Sequence, residues 1–246
     1  MTELAPPLPA RPALSASAPP LARAFYIAEV ALMSVLVLAG FWPFYADLPS
    51  GAVARHPVMY VHGAVFTGWL FLLFAQVILI YRRKVKVHQR LGRYVAAYAL
   101  LVLLLGTAVT IIAPVEHVKA GRWTLDAAAG FLVLPIGDLL LFGGLFTAGM
   151  ISRRVPMEHK RWMLLASNAL IFPGVARLTE PAVAAMLALW FLPVILAMVF
   201  DRATIGRVHR VYWIGAAAML IAFTRVALIE SEAWLRIGRP LVQAFL

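Results

Sequence analysis

The chain has 246 residues, 63% hydrophobic and 13% charged, with a mean hydropathy of +0.87. Ordinary soluble domains are about half apolar, so this composition excludes one and indicates a polytopic membrane protein. The 22 Lys and Arg outnumber the 11 Asp and Glu, giving a net charge of +11, but they sit in short connectors between apolar runs, which points to membrane topology and not to nucleic acid.

Residues 1–22 are rich in Pro and Ala, lack a helical apolar period and read as a disordered cytoplasmic tail. The first apolar run is too long for the core of a cleaved signal peptide and ends in Phe41-Trp42-Pro43-Phe44-Tyr45, so it reads as a retained helix. Crossing a hydrocarbon core of about 30 Å takes about 20 residues at 1.5 Å each. Seven segments meet that length, at 24–45, 58–80, 91–113, 127–151, 161–178, 183–200 and 211–229. The fifth and sixth carry Pro173 and Pro193 and are separated only by Thr179-Glu180-Pro181-Ala182, leaving open a tight hairpin or a partly re-entrant pair. The expected fold is therefore all-α, with a seven-helix transmembrane domain over 23–230 built as one helix plus three hairpins. Small residues in the fourth segment, Gly143 with Thr147 and Gly144 with Ala148, have the spacing of a close helix contact. Residues 231–246 alternate Trp234, Leu235, Ile237, Leu241 and Phe245 with Arg236 and Arg239, the pattern of a short amphipathic outer-surface helix, although Gly238 and Pro240 oppose one.

Three connectors are basic and contain a histidine followed by an Arg- or Lys-bearing helix start: 81–94, 153–162 and 201–213. They hold Arg82, Arg83, Lys84, Lys86, Arg90, Arg93, Arg153, Arg154, Lys160, Arg161, Arg202, Arg207 and Arg210, whereas the alternate connectors hold only Arg55, Lys119, Arg122 and Arg177. By the positive-inside rule the first group is cytoplasmic, with the N-terminus inside and the C-terminus outside. Trp42, Tyr45, Trp123 and Trp213 then fall near the interfaces.

His88, His159 and His209 each stand at a helix start, where free N–H groups and the backbone dipole favour anions. Together with Arg90, Arg161 and Arg210 they form a basic face suited to lipid headgroups, a phosphate-bearing ligand or an acidic protein partner in the membrane. With no cysteine in the chain, imidazole is the strong metal ligand available, so haem or a transition metal is the cofactor class open to these histidines. His62 lies inside a span but near the opposite face, too far to share one haem with the other three. Asp138 sits near the middle of its span, where a charge costs at least about 2.5–3.5 kcal/mol, and reads as a proton-relay group, the partner of a cation, or a hydrogen-bonded packing residue. Asn168, Glu29 and Gln76 are further intramembrane polar groups. Arg177 and Arg225 lie toward the outer ends of their spans, where they could grip a carboxylate or a quinone headgroup, or snorkel and pair with the glutamates that follow closely, Glu180 and Glu230.

There is no phosphate-binding Gly-rich loop, His-Glu-x-x-His motif, Gly-x-Ser-x-Gly elbow or paired-carboxylate motif, so whether the chain is an enzyme stays open. No lysine lies in the last span, which excludes a retinal Schiff base. At Val87-His88-Gln89-Arg90-Leu91-Gly92-Arg93 and at Glu158-His159-Lys160-Arg161-Trp162-Met163, followed by Ala176-Arg177-Leu178, the chain resembles uncharacterised bacterial multi-pass inner-membrane proteins. These have His-x-x-Leu-Gly and His-x-x-Trp-Met helix-start motifs. The resemblance covers the second to fifth spans and implies an inner-membrane location, without an activity. Two functions are consistent with these residues: a transport or accessory membrane component with an anion-binding basic face, and a haem-, metal- or quinone-binding redox protein.

Overall fold

A computed structural model describes residues 20–49 and 56–246, with side chains from residue 24 onward, and every regular element among them is helical. In order these are α1 (Pro20–Gly40), α2 (Trp42–Asp47), α3 (Pro57–Tyr81), α4 (Val85–Lys119), α5 (Leu125–Phe131), α6 (Val133–Ile151), α7 (Pro156–Ala169), α8 (Phe172–Thr179), α9 (Val183–Ile205), α10 (Arg210–Phe223) and α11 (Glu232–Gln243). A 3-10 turn, Thr224–Leu228, follows α10. The expected tail lies outside the described residues up to 19, as does Arg55, while α1 already begins at Pro20.

Five stretches are long and apolar enough to cross a membrane, Leu125–Arg154 and Arg210–Leu228 each joining two or more elements; α7 and α8, bent by 45°, make a sixth if taken as one span. Helices of this kind fit a multi-pass integral membrane protein. The bend has a covalent cause. Pro173 carries no N–H and its ring would crowd the carbonyl of Ala169, which favours the break at Leu170 and Ile171, whereas Pro114 and Pro193 are accommodated inside α4 and α9. Pro43 acts on α1 as Pro173 does on α7: α1 ends at Gly40 before α2 starts, short of the expected Tyr45. In the other direction α4 exceeds expectation. Its 35 residues begin at Val85 instead of Leu91 and rise about 52 Å at 1.5 Å each, so His88 lies within the helix, one turn from its start.

Chain direction places the α3–α4, α6–α7 and α9–α10 connectors at one end of the bundle, the basic end. Phe25 stacks on Phe200 with ring centres 3.9 Å apart, which puts the start of α1 at that end too. The main core is built from Met33, Trp69, Phe142, Leu165, Trp190 and Tyr212 with their apolar neighbours. A smaller core at the other end joins α5 to α11 through Ala128, Ala129, Leu132, Leu235 and Val242. The C-terminal segment is helical despite Gly238 and Pro240, and its apolar face is docked on protein. Gly238 is required there, since a Cβ would lie 2.8 Å from the carbonyl oxygen of Ala129. Trp234 Nε1 donates to that same oxygen at 2.9 Å, and Arg239 Nε donates to Asp126 at 2.7 Å.

Close helix approach occurs away from the small-residue stripe of α6. Gly144 has nothing within 4 Å of a built Cβ and Gly143 only an ordinary contact with Leu103 at 3.6 Å. The tight crossing is α1 on α8, where a Cβ on Gly40 would lie 2.0 Å from the Gly174 carbonyl oxygen. Gly40→Val should therefore destabilise the protein by about 1–3 kcal/mol through overpacking against rigid backbone. Gly144→Ala should leave the melting temperature in detergent unchanged; equal melting of the two variants would contradict this packing.

Candidate functional site

The polar side chains of the interior fall into two groups, one near each end. At the basic end, α7 delivers Arg161 and α9 delivers Asp201, each 1% exposed. Arg161 Nε donates to Asp201 Oδ2 at 2.8 Å and Nη2 donates to Oδ1, a two-pronged pair that fits a planar guanidinium to a carboxylate. The guanidinium also lies 5.6 Å from the centre of the Tyr212 ring. Asp201 does a second task, accepting the backbone N–H of His209 at 3.1 Å. His209 caps α10, its Nδ1 accepting from Val211 N at 3.3 Å, which requires a bare Nδ1. Burial, with the neighbouring Arg161, lowers the His209 pKa from its ordinary 6.5.

His88 and His159 come together, ring centres 6.3 Å apart. His159 Nδ1 pairs with the Gly149 carbonyl at 2.8 Å, and as the donor to it leaves Nε2 bare in the neutral ring. His209 belongs instead to the Arg161–Asp201 group. Among the described residues no three His, Asp or Glu side chains are grouped to hold a metal ion. Arg161, expected to contact anions, is buried and committed to Asp201. Arg210 is exposed but bonds Glu158 at 2.6 Å, and Arg90 is exposed without an acidic partner among the described residues.

Toward the other end, Asp138 of α6 is paired with Arg225, 6% and 7% exposed as side chains. This replaces the expected pairing of Arg225 with Glu230: the 3-10 turn swings Arg225 inward, its Nη1 donating to Ala222 O at 2.6 Å and its guanidinium lying over Phe172 at 5.0 Å. Gly137 makes room, because a Cβ there would meet Arg225 Cδ at 2.2 Å. Arg177 likewise does not form an ion pair with Glu180 in the structure; it donates to Pro173 O at 2.9 Å and lies over Phe41 at 4.5 Å. His62 packs against Phe66 with ring centres 4.0 Å apart and has Arg177 as its charged neighbour.

Asn168 joins neither charged group. Its Nδ2 donates to Trp190 O at 3.0 Å, while Trp190 Nε1 returns a bond to Asn168 O at 3.1 Å, a reciprocal staple at the break after α7. Sequence reasoning missed Asp201 as a site residue. The signal available was an acid in the last turns of a helix, where the dipole disfavours negative charge, inside an otherwise basic connector.

Comparison of the chain with protein families, with curated proteins and with solved structures finds no match. The reading of the site therefore rests on its chemistry alone.

Asp201→Asn should destabilise strongly, about 3–5 kcal/mol, because it leaves the Arg161 charge buried and unpaired. The double variant Arg161→Met with Asp201→Leu should recover most of that loss, measured by unfolding in detergent; additive losses would show that the pair is not one unit. Because the folded state binds the His209 proton less tightly than the unfolded chain, stability should fall as pH drops from 6.5 toward the lower folded value. His209→Asn keeps a cap and should flatten that part of the pH profile of the melting temperature.

Proposed function

We propose that the chain is a seven-span protein of the bacterial inner membrane, N-terminus inside, acting as a transport or accessory component whose basic cytoplasmic face binds anionic headgroups of lipid or ligand. The seven spans comprise α1 with α2, the bent α7–α8 pair, and the five long apolar stretches. A single observation carries the binding reading: the bases at this end divide into two kinds. Arg161 and Arg210 are already neutralised by Asp201 and Glu158, whereas Arg82, Arg83, Lys84, Lys86 and Arg90 around the α3–α4 connector are exposed without an acidic partner among the described residues. Arg83 takes a left-handed backbone, φ 59°, in the three-residue turn that displays them. Uncompensated charge beside a membrane attracts anionic lipid at about 1 kcal/mol per residue.

A second reading, a redox protein using the basic-end histidines, is favoured by the approach of His88 to His159, and it is tested by the visible spectrum and metal content of the purified protein. Haem or near-stoichiometric metal supports it.

For the main reading, replacing Arg82, Arg83 and Lys84 together by Gln should weaken retention of anionic lipid by about 100-fold, from about 3 kcal/mol in all, with neutral lipid unaffected. Native mass spectrometry of the protein with phosphatidylglycerol and phosphatidylcholine reads this directly. Equal retention of both lipids by the wild type would overturn the reading.

A further inference from the structure

Glu29 is the buried acid that no ion pair explains. It lies on α1 two turns from the basic end and is 2% exposed, with Oε2 out of hydrogen-bond geometry from any described partner. Asp138 and Asp201 each have an arginine; no Lys, Arg or His among the described residues forms an ion pair with Glu29. An isolated carboxylate costs far too much in such surroundings, and buried polar groups in native proteins are otherwise satisfied.

The groups around Glu29 make a site and not merely a hole. Tyr26 precedes it by three residues, on the same face of α1. Tyr212 of α10 is fully buried, and both tyrosines are within electrostatic reach of the carboxyl. Their hydroxyls, like Glu29 Oε2, are buried, and neither hydroxyl is hydrogen-bonded to the carboxyl in the structure. Asp201 on α9 and Arg161 on α7 lie alongside the tyrosines, already paired with each other. Lys160 closes the group on its outer side, Nζ 4.9 Å from the centre of the Tyr26 ring. No charged group on α2, α3 or α8, the other helices packed on α1, acts on Glu29.

We propose that Glu29, with the hydroxyls of Tyr26 and Tyr212, is a proton-exchanging site inside the bundle, communicating with the basic end past Tyr26 and Lys160. A proton neutralises the carboxyl without needing a larger cavity. In uptake a hydronium gives its proton to Oε2 and becomes water; in release the Oε2–H bond breaks and water takes the proton back, so atoms and charge balance. The tyrosine hydroxyls, not bonded to the carboxyl in the structure, become its donors once side chains rotate and relay the proton toward the partly exposed Tyr26 edge. This site is independent of the lipid-binding reading and stands if that reading fails.

The test is dicyclohexylcarbodiimide labelling of the full chain in detergent, mapped by peptide mass, together with the infrared carboxylic C=O band in H2O and D2O. The reagent is apolar and attacks carboxyls that hold a proton away from water. The adduct is expected on Glu29 and not on Asp138 or Asp201, whose arginines keep them paired. The C=O band should shift in D2O and vanish in Glu29→Gln. If that variant fails to fold, loss of the band on labelling the wild type identifies it. Tyr212→Phe should slow the D2O exchange while leaving the labelling. No adduct on Glu29 overturns the proposal; so does a band that does not exchange, since that is a sealed packing acid.

Discussion

A charge taken out of water has to find its counter-charge within the protein, and the Arg161–Asp201 pair is where that constraint organises the most structure. The pair joins α7 to α9 across 40 residues of sequence, and the same carboxylate receives the N–H of His209, which in turn caps α10. Three helix ends are thereby tied at one point. Such a pair is weak evidence for net stability, because desolvation offsets its attraction, but it is demanding in geometry. A guanidinium fork accepts few arrangements of its partner. The pair therefore specifies how the helices meet more than how strongly they hold.

Asp138 and Arg225 answer the same constraint nearer the other end, by a different route. The arginine comes from a 3-10 turn after α10 and reaches α6 over a glycine that has no side chain to obstruct it. Between the two pairs, the Asn168–Trp190 staple lies at the proline break after α7. Each of these devices leaves no bare charge facing the apolar core. Glu29 stands out by comparison as an acid without an ion pair among the described residues, its Oε2 lacking a hydrogen-bond partner.

The basic end shows how neutralisation within the fold sorts residues that look alike in sequence. Arg161 and Arg90 follow a histidine by two residues in their respective connectors, yet one is sealed inside and the other faces outward. His88 and His159 are brought to 6.3 Å, whereas His209 of the third connector serves as a helix cap. The apparent threefold repetition of connectors thus does not extend to equivalent roles. Their shared feature is positive charge beside a membrane surface, and their differences come from which carboxylates the packed helices supply.

The long apolar runs and the cluster of bases in alternate connectors were legible in the sequence, because each depends on local composition that lipid and water select directly. The breaks at Pro43 and Pro173 were not read there, since the expected first and fifth segments ran through both prolines, and a proline also sits inside the continuous helices α4 and α9. The intramembrane cost of Asp138 was legible too, but its partner was not. Glu230 is nearer Arg225 in sequence, and only the inward 3-10 turn and the absent Cβ of Gly137 bring Asp138 to it. Likewise nothing local marks Arg161 as the base that meets Asp201, or Tyr212 as the ring beside that base. Composition sets what a segment must be surrounded by; which particular side chain neutralises a buried charge is decided by the packing of helices distant in sequence, and that exists only in three dimensions.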